Sequence, residues 1–137
     1  MIKELILSII ASWLLVKALK AIIVWAQEGK ISLKALAYDG GMPSSHTTAV
    51  TATATAIFLE TGITPVFALS VVMALIVMND ALKVRWVTQE QSKVINKLTE
   101  GKAGFKRMNE HVGHKPAEVL VGLIIGIIIP IIVYAVL

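Results

Sequence analysis

Ala117-Glu118-Val119-Leu120-Val121-Gly122-Leu123-Ile124-Ile125-Gly126-Ile127-Ile128-Ile129-Pro130-Ile131-Ile132-Val133-Tyr134-Ala135-Val136-Leu137 carries a single charge, at its second position. About 20 apolar residues are what a helix needs to cross about 30 Å of hydrocarbon, so this stretch reads as a transmembrane helix. Residues 5–26 form a second stretch of that length, interrupted by Lys17 and Lys20. Residues 46–59 and 65–78 are apolar but shorter, which predicts helices that extend at their ends or sit in a locally thin bundle. Glu60-Thr61-Gly62-Ile63-Thr64-Pro65 between them is a tight turn, making the middle pair an antiparallel hairpin. The first stretch does not read as a secretory leader, because its apolar run resumes after the lysines with no small-x-small site close behind.

Composition agrees. The chain has 137 residues, 56% hydrophobic and 16% charged, with a mean hydropathy of +0.78. A soluble domain carries about 25% charged residues. The absence of cysteine excludes disulfides and thiol chemistry. The formal net charge is +4, but aromatic residues are sparse and no basic motif interleaves with stacking residues, so nucleic acid is not the expected partner. The expected architecture is an all-α integral membrane bundle of about four transmembrane segments with a cytosolic helical loop, one domain over residues 1–137.

Charge then orients the bundle. With four spans, residues 27–45 and 80–115 fall on one side, and they hold Lys30, Lys34, Lys83, Arg85, Lys93, Lys97, Lys102, Lys106, Arg107 and Lys115. The other side has only Lys3 and the nearly uncharged turn. Basic loops stay in the cytosol, so this face is expected to be cytosolic, in a cell membrane. Some of these lysines serve equally as a solvated surface attracted to anionic headgroups.

Three patches on that face carry chemistry. The first is Gly40-Gly41-Met42-Pro43-Ser44-Ser45-His46, opening into the Thr/Ala alternation of residues 47–56. The unsatisfied N–H groups and positive dipole end of a helix start attract phosphate, and a histidine there can pass a proton to a leaving oxygen. The plain alternative is a loop with Ser45 as helix cap. The Thr/Ala faces suit close helix packing.

The second patch is Asn79-Asp80-Ala81-Leu82-Lys83-Val84-Arg85-Trp86. Arg85 can grip phosphate bidentately, while Asp80 either orients Arg85 or pairs with Lys83. The alternative is a charged membrane exit with Trp86 at the interface.

The third is Gly113-His114-Lys115-Pro116-Ala117-Glu118. Proline and a carboxylate both suit a first helical turn. A spacing of four also brings Glu118 under His114, where it would fix the tautomer as the carboxylate of a hydrolase triad does. A carboxylate at the head of so apolar a span is a functional-site candidate.

His111 lies three residues before His114 and with Glu110 or Glu118 would suggest zinc, but no further ligand cluster accompanies them. Gly122 and Gly126 form a small-xxx-small pair for packing within the bundle or across a homo-oligomer interface. Lys17 and Lys20 share a helical face and are expected to snorkel to the headgroups. Residues 93–107 read as an amphipathic helix and loop broken at Gly101 and Gly104.

These patches, in this order, resemble the divergent branch of the type 2 phosphatidic acid phosphatases, relatives of acid phosphatases and vanadium haloperoxidases. The resemblance rests on residues 40–47, Asp80 through Arg85, Asn96 and residues 109–119, with Gln27 and Lys30 after the first span. It implies a helical membrane phosphatase that works through a phosphohistidine, without metal or other cofactor, on a lipid phosphate or isoprenoid diphosphate. His114 would be the nucleophile, Glu118 its orienting carboxylate and His46 the general acid. Ser44, Ser45 and the following amides would bind phosphate. Lys30 would stand for the lysine of the first basic motif. Met108 occupies the place of the mainstream arginine, so Arg85 is the preferred phosphate ligand and Arg107 a weaker one. The competing functions are a non-catalytic membrane module that binds anionic lipid or a protein partner, and a transferase with an acceptor other than water.

Overall fold

The structure is a computed structural model that describes residues 2–29 and 41–137. The described residues form five α-helices: α1 (Ile2–Glu28), α2 (Ser45–Thr61), α3 (Pro65–Asn79), α4 (Arg85–Thr99) and α5 (Pro116–Val136). A π-helical turn, Asp80–Val84, carries α3 directly into α4. Residues 2–27, 65–99 and 116–136 are each long and apolar enough to cross a membrane. The chain is therefore an all-α membrane bundle.

Local chemistry sets the ends of the middle hairpin. Ser44, extended at φ −70° and ψ 110°, caps α2 by accepting from Thr47 N–H at 3.4 Å. The cap is thus Ser44, one residue before the expected Ser45, which already belongs to the helix. Gly62 stops α2 at φ 69°, a conformation that costs any residue with a Cβ, and its N–H returns to Phe58 O. Thr64 then caps α3 by accepting from Phe67 N–H at 3.3 Å, with Pro65 in the first turn.

The 17-residue α2 spans about 25 Å, and it packs against α1, α3 and α5. Its short length is thus the property of a central helix. The expected third span instead runs on through the π turn to give a continuous helical run of 35 residues.

The bundle interior is made of small and hydroxylated side chains. From α1 it takes Ser8, Ser12, Val16 and Lys20; from α2 Thr47, Thr48, Thr51, Ala52 and Ala56; from α5 Val119, Gly122, Gly126 and Pro130. Large apolar residues such as Leu14, Leu69, Leu75, Ile128 and Ile132 point outward. Hydrocarbon solvates a leucine as well as a protein core does, so close packing and hydrogen bonds hold such helices together. Gly122 and Gly126 permit the close approach of α5 to α2. A Cβ there would lie 2.6 Å from Ser44 O, and one on Gly126 would collide with Thr51 Oγ1. Both glycines therefore pack within the bundle, against α2.

Hydroxyls complete the interface. Thr48 Oγ1 lies 2.9 Å from Ser44 O and 3.0 Å from Gly122 O, sharing its hydrogen between the two helices. On α1, Ser12 Oγ donates to Ser8 O, while Lys17 stands 5.5 Å over the Trp13 ring. Lys20, expected to snorkel, is 4% exposed and belongs to the interior stripe.

Candidate functional site

His114 immediately precedes α5, and two neighbouring segments hold its backbone. Its N–H donates to Ala81 O in the π turn at 3.3 Å, and Gly113 N–H donates to Gln89 Oε1 on α4 at 3.2 Å. A Cβ on Gly113 would stand 2.8 Å from Trp86 Cα, so only glycine lets this segment lie flat on α4. The second and third sequence patches are thereby in direct contact.

The imidazole itself is enclosed, with a side-chain exposure of 0%. His114 Nδ1 lies 3.0 Å from Glu118 Oε2, and the same oxygen accepts from Lys115 N–H at 3.1 Å. Glu118 thus caps α5 and grips the ring at once, so the two sequence readings of this residue are one arrangement. An ionised carboxylate only accepts, so the neutral ring carries its hydrogen on Nδ1 and its lone pair on Nε2. That Nε2 is buried and, among the described residues, has no hydrogen-bond partner. An unpaired buried acceptor costs free energy, which is regained when something arrives to use the lone pair.

The first patch reaches the same place from α2. Ser44 N–H donates to Glu118 O at 3.1 Å, joining the entrance of α2 to the entrance of α5. His46 occupies the first turn of α2, so both imidazoles stand at one end of the bundle. Ser44 Oγ is engaged within its own helix, accepting from Thr47 N–H and from Thr47 Oγ1 at 3.0 Å. Ser45 is buried beside it.

Arg85 begins α4, and its Nε donates to Asp80 Oδ2 at 2.7 Å across the π turn. Of the two partners considered for Asp80, the structure pairs it with Arg85. The spacing of five suits this turn, where Arg85 N–H also returns to Asp80 O. Arg85 O faces the same Gly113 that precedes His114. Arg107 sits apart in an exposed loop, 3.3 Å from Glu110. Lys30 lies outside the described residues.

Sequence reasoning missed the clamp that places the third patch. Asn96 on α4 treats Met108 as a neighbouring strand would: its Nδ2 donates to Met108 O at 2.9 Å and its Oδ1 accepts from Met108 N–H at 2.8 Å. The second amide hydrogen goes to Glu110 Oε1 at 2.7 Å. This bond, with a smaller contribution from the Arg107 charge, holds the Glu110 carboxyl below its usual range. Asn96 was part of the resemblance but had no assigned role, and Gln89 carried no signal at all. Among the described residues, no three His, Asp and Glu side chains gather as a metal site.

Comparison with known proteins gives two matches. A family model described as the Divergent PAP2 family covers residues 1–129. The membrane protein YuiD of Bacillus subtilis strain 168 is 34% identical over 144 residues, covering 93% of this chain and 91% of its own length. No solved structure matches.

Proposed function

The chain belongs to the divergent PAP2 family, and from that premise we propose that it is a metal-independent phosphatase of a lipid phosphate or isoprenoid diphosphate. One observation carries the reading: the enclosed His114 ring, with Nδ1 held by Glu118 and a buried Nε2 that has no partner among the described residues. A lone pair so placed is fit for nucleophilic attack.

In the proposed cycle, His114 Nε2 forms a bond to phosphorus as the bond from phosphorus to the lipid oxygen breaks. His46 gives that oxygen its proton. Glu118 stabilises the ring as it becomes cationic, as the carboxylate of a triad does. Arg85, oriented by Asp80, and Lys30 neutralise the phosphoryl oxygens, together with the amides that follow Ser44 and Ser45. Water then attacks phosphorus, the P–N bond breaks, and the water proton returns to His46. The basic loops favour the reading that this end of the bundle faces the cytosol, at the cell membrane.

The test is phosphate release by purified protein in detergent from a panel of lipid phosphates, with vanadate as inhibitor. Turnover that vanadate blocks, and that His114→Ala lowers by roughly a thousandfold or more, is the expected result. Full lipid binding with no release from any substrate would instead establish a binding module. Release that survives His114→Ala would remove the nucleophile from the scheme.

A further inference from the structure

Helices α2 and α5 run in the same direction and are fastened in register. Ser44 N–H donates to Glu118 O at one end, and Tyr134 Oη donates to Glu60 at the other. Thr48 meets Gly122 between them, at the same offset of 74 residues. Their buried residues match at that offset: Ser45, Thr48, Ala52 and Ala56 stand beside Val119, Gly122, Gly126 and Pro130. α1 packs on both helices, and it too buries four described residues, Ser8, Ser12, Val16 and Lys20. Counted from Ile2, these lie about 9, 15, 21 and 27 Å along α1. Counted back from Val136, Pro130, Gly126, Gly122 and Val119 lie about 9, 15, 21 and 26 Å along α5.

Consecutive spans cross a membrane in opposite directions, so the stripe of α1 meets the other two in reverse order. We propose that this register sets Lys20 in the layer of Ser45 and Val119, where its ammonium grips the phosphoryl group at His114. Val119 follows the Glu118 that holds the His114 ring, and Ser45 precedes His46, so this layer borders the site.

Charge gives the lysine its task. Among the described residues it is the one buried lysine or arginine. Arg85 has its Nε committed to Asp80, and Arg107, with a side chain 81% exposed, stands against Glu110. A phosphoryl dianion beside the Glu118 carboxylate needs a cation that water does not screen. An ammonium inside a bundle is costly, and its attraction for an anion is strongest there. It has three hydrogens to donate, so a partner within the fold leaves donors for a ligand. The inference rests on the His114 site taking phosphate, as proposed above.

The test adds orthovanadate or inorganic phosphate to the whole chain in detergent and follows the ¹⁵N resonances of the His114 ring. Phosphate release from lipid phosphates and thermal unfolding are measured in parallel. Lys20→Met is expected to weaken vanadate binding roughly ten- to a hundredfold, with part of the loss restored in Lys20→Arg. Lys17→Met, on the Trp13 side of α1, should leave it unchanged. Equal vanadate affinity in the wild type and Lys20→Met, with lipid phosphate still hydrolysed, would overturn the role of Lys20 and leave the phosphatase reading standing. Vanadate binding that depends on Lys20 without any turnover would do the reverse. A wild type that binds neither anion would remove both. If Lys20→Met does not fold, the ¹⁵Nζ resonance that disappears in Lys20→Arg decides the matter. It moves with vanadate if the ammonium holds the anion, and a resonance that stays still overturns the proposal.

Discussion

Two carboxylates mark opposite ends of the same helix pair, and they are used differently. Glu60, next to last in α2, accepts from Tyr134 Oη at 2.9 Å, with Ala56 O a further 3.4 Å contact for the same hydroxyl. Glu118, in the first turn of α5, accepts from His114 and from a backbone amide, but the ring it holds keeps a buried nitrogen with no partner among the described residues. The phenol has one hydrogen and a place for it, so that pair is closed. The imidazole has a second polar atom, so its pair is open. A polar group inside a membrane bundle is costly wherever it lies, and an atom left unanswered distinguishes a site from a fastening.

Glu118→Gln probes the open end most strongly. Glutamine can keep the helix cap but loses the charge that steadies a cationic ring. Phosphate release is expected to fall by roughly a hundredfold or more with little change in thermal unfolding. Equal loss of activity and stability would reduce Glu118 to a cap.

Gly122→Ala presses on the same end through packing, since its Cβ would meet Ser44 O at 2.6 Å. A loss of roughly 1–3 kcal/mol is expected in detergent unfolding, and turnover should fall with it as the two helix entrances part. Tyr134→Phe tests the closed end. It should cost roughly 1 kcal/mol, as intramembrane hydrogen bonds do, and leave kcat unchanged. A fall in kcat would mean the two ends are not independent.

The smallest effect concerns the Asn96 clamp. The Glu110 carboxyl is held below its usual value of 4.5 in the fold. Its contribution is therefore complete above about that pH and fades only as pH falls through the lower folded value. An NMR titration of the Asn96 side-chain amide should show its inflection below 4.5, and an inflection at or above it would contradict the bond.

Much of the bundle was legible because hydrocarbon demands long apolar runs and leaves few alternatives for the backbone. The shared end of His46 and His114 was legible for a similar reason, since loops one hairpin apart emerge on one side. The pairing of Glu118 with His114 followed from a spacing of four on one helical turn. Other features depend on contacts no local pattern encodes. The cap fell to Ser44 because its N–H is also needed by Glu118 O, 74 residues away. The burial of Lys20 depends on which face of α1 the other helices cover, and neither hydropathy nor charge marks that face. Gln89 and Asn96 are ordinary polar residues until the returning chain lies against them.

The π turn between α3 and α4 has a geometric consequence. One extra residue in an otherwise α-helical path advances the azimuth of everything beyond it by about 100°. The outward direction of α3, turned to lipid, and the inward direction of α4, turned to Met108 and Gly113, can therefore be set independently on one rod. Without that offset, Gln89 and Asn96 would be swung by more than a quarter revolution away from the segment they hold, and the stretch leading into His114 would lose its bed.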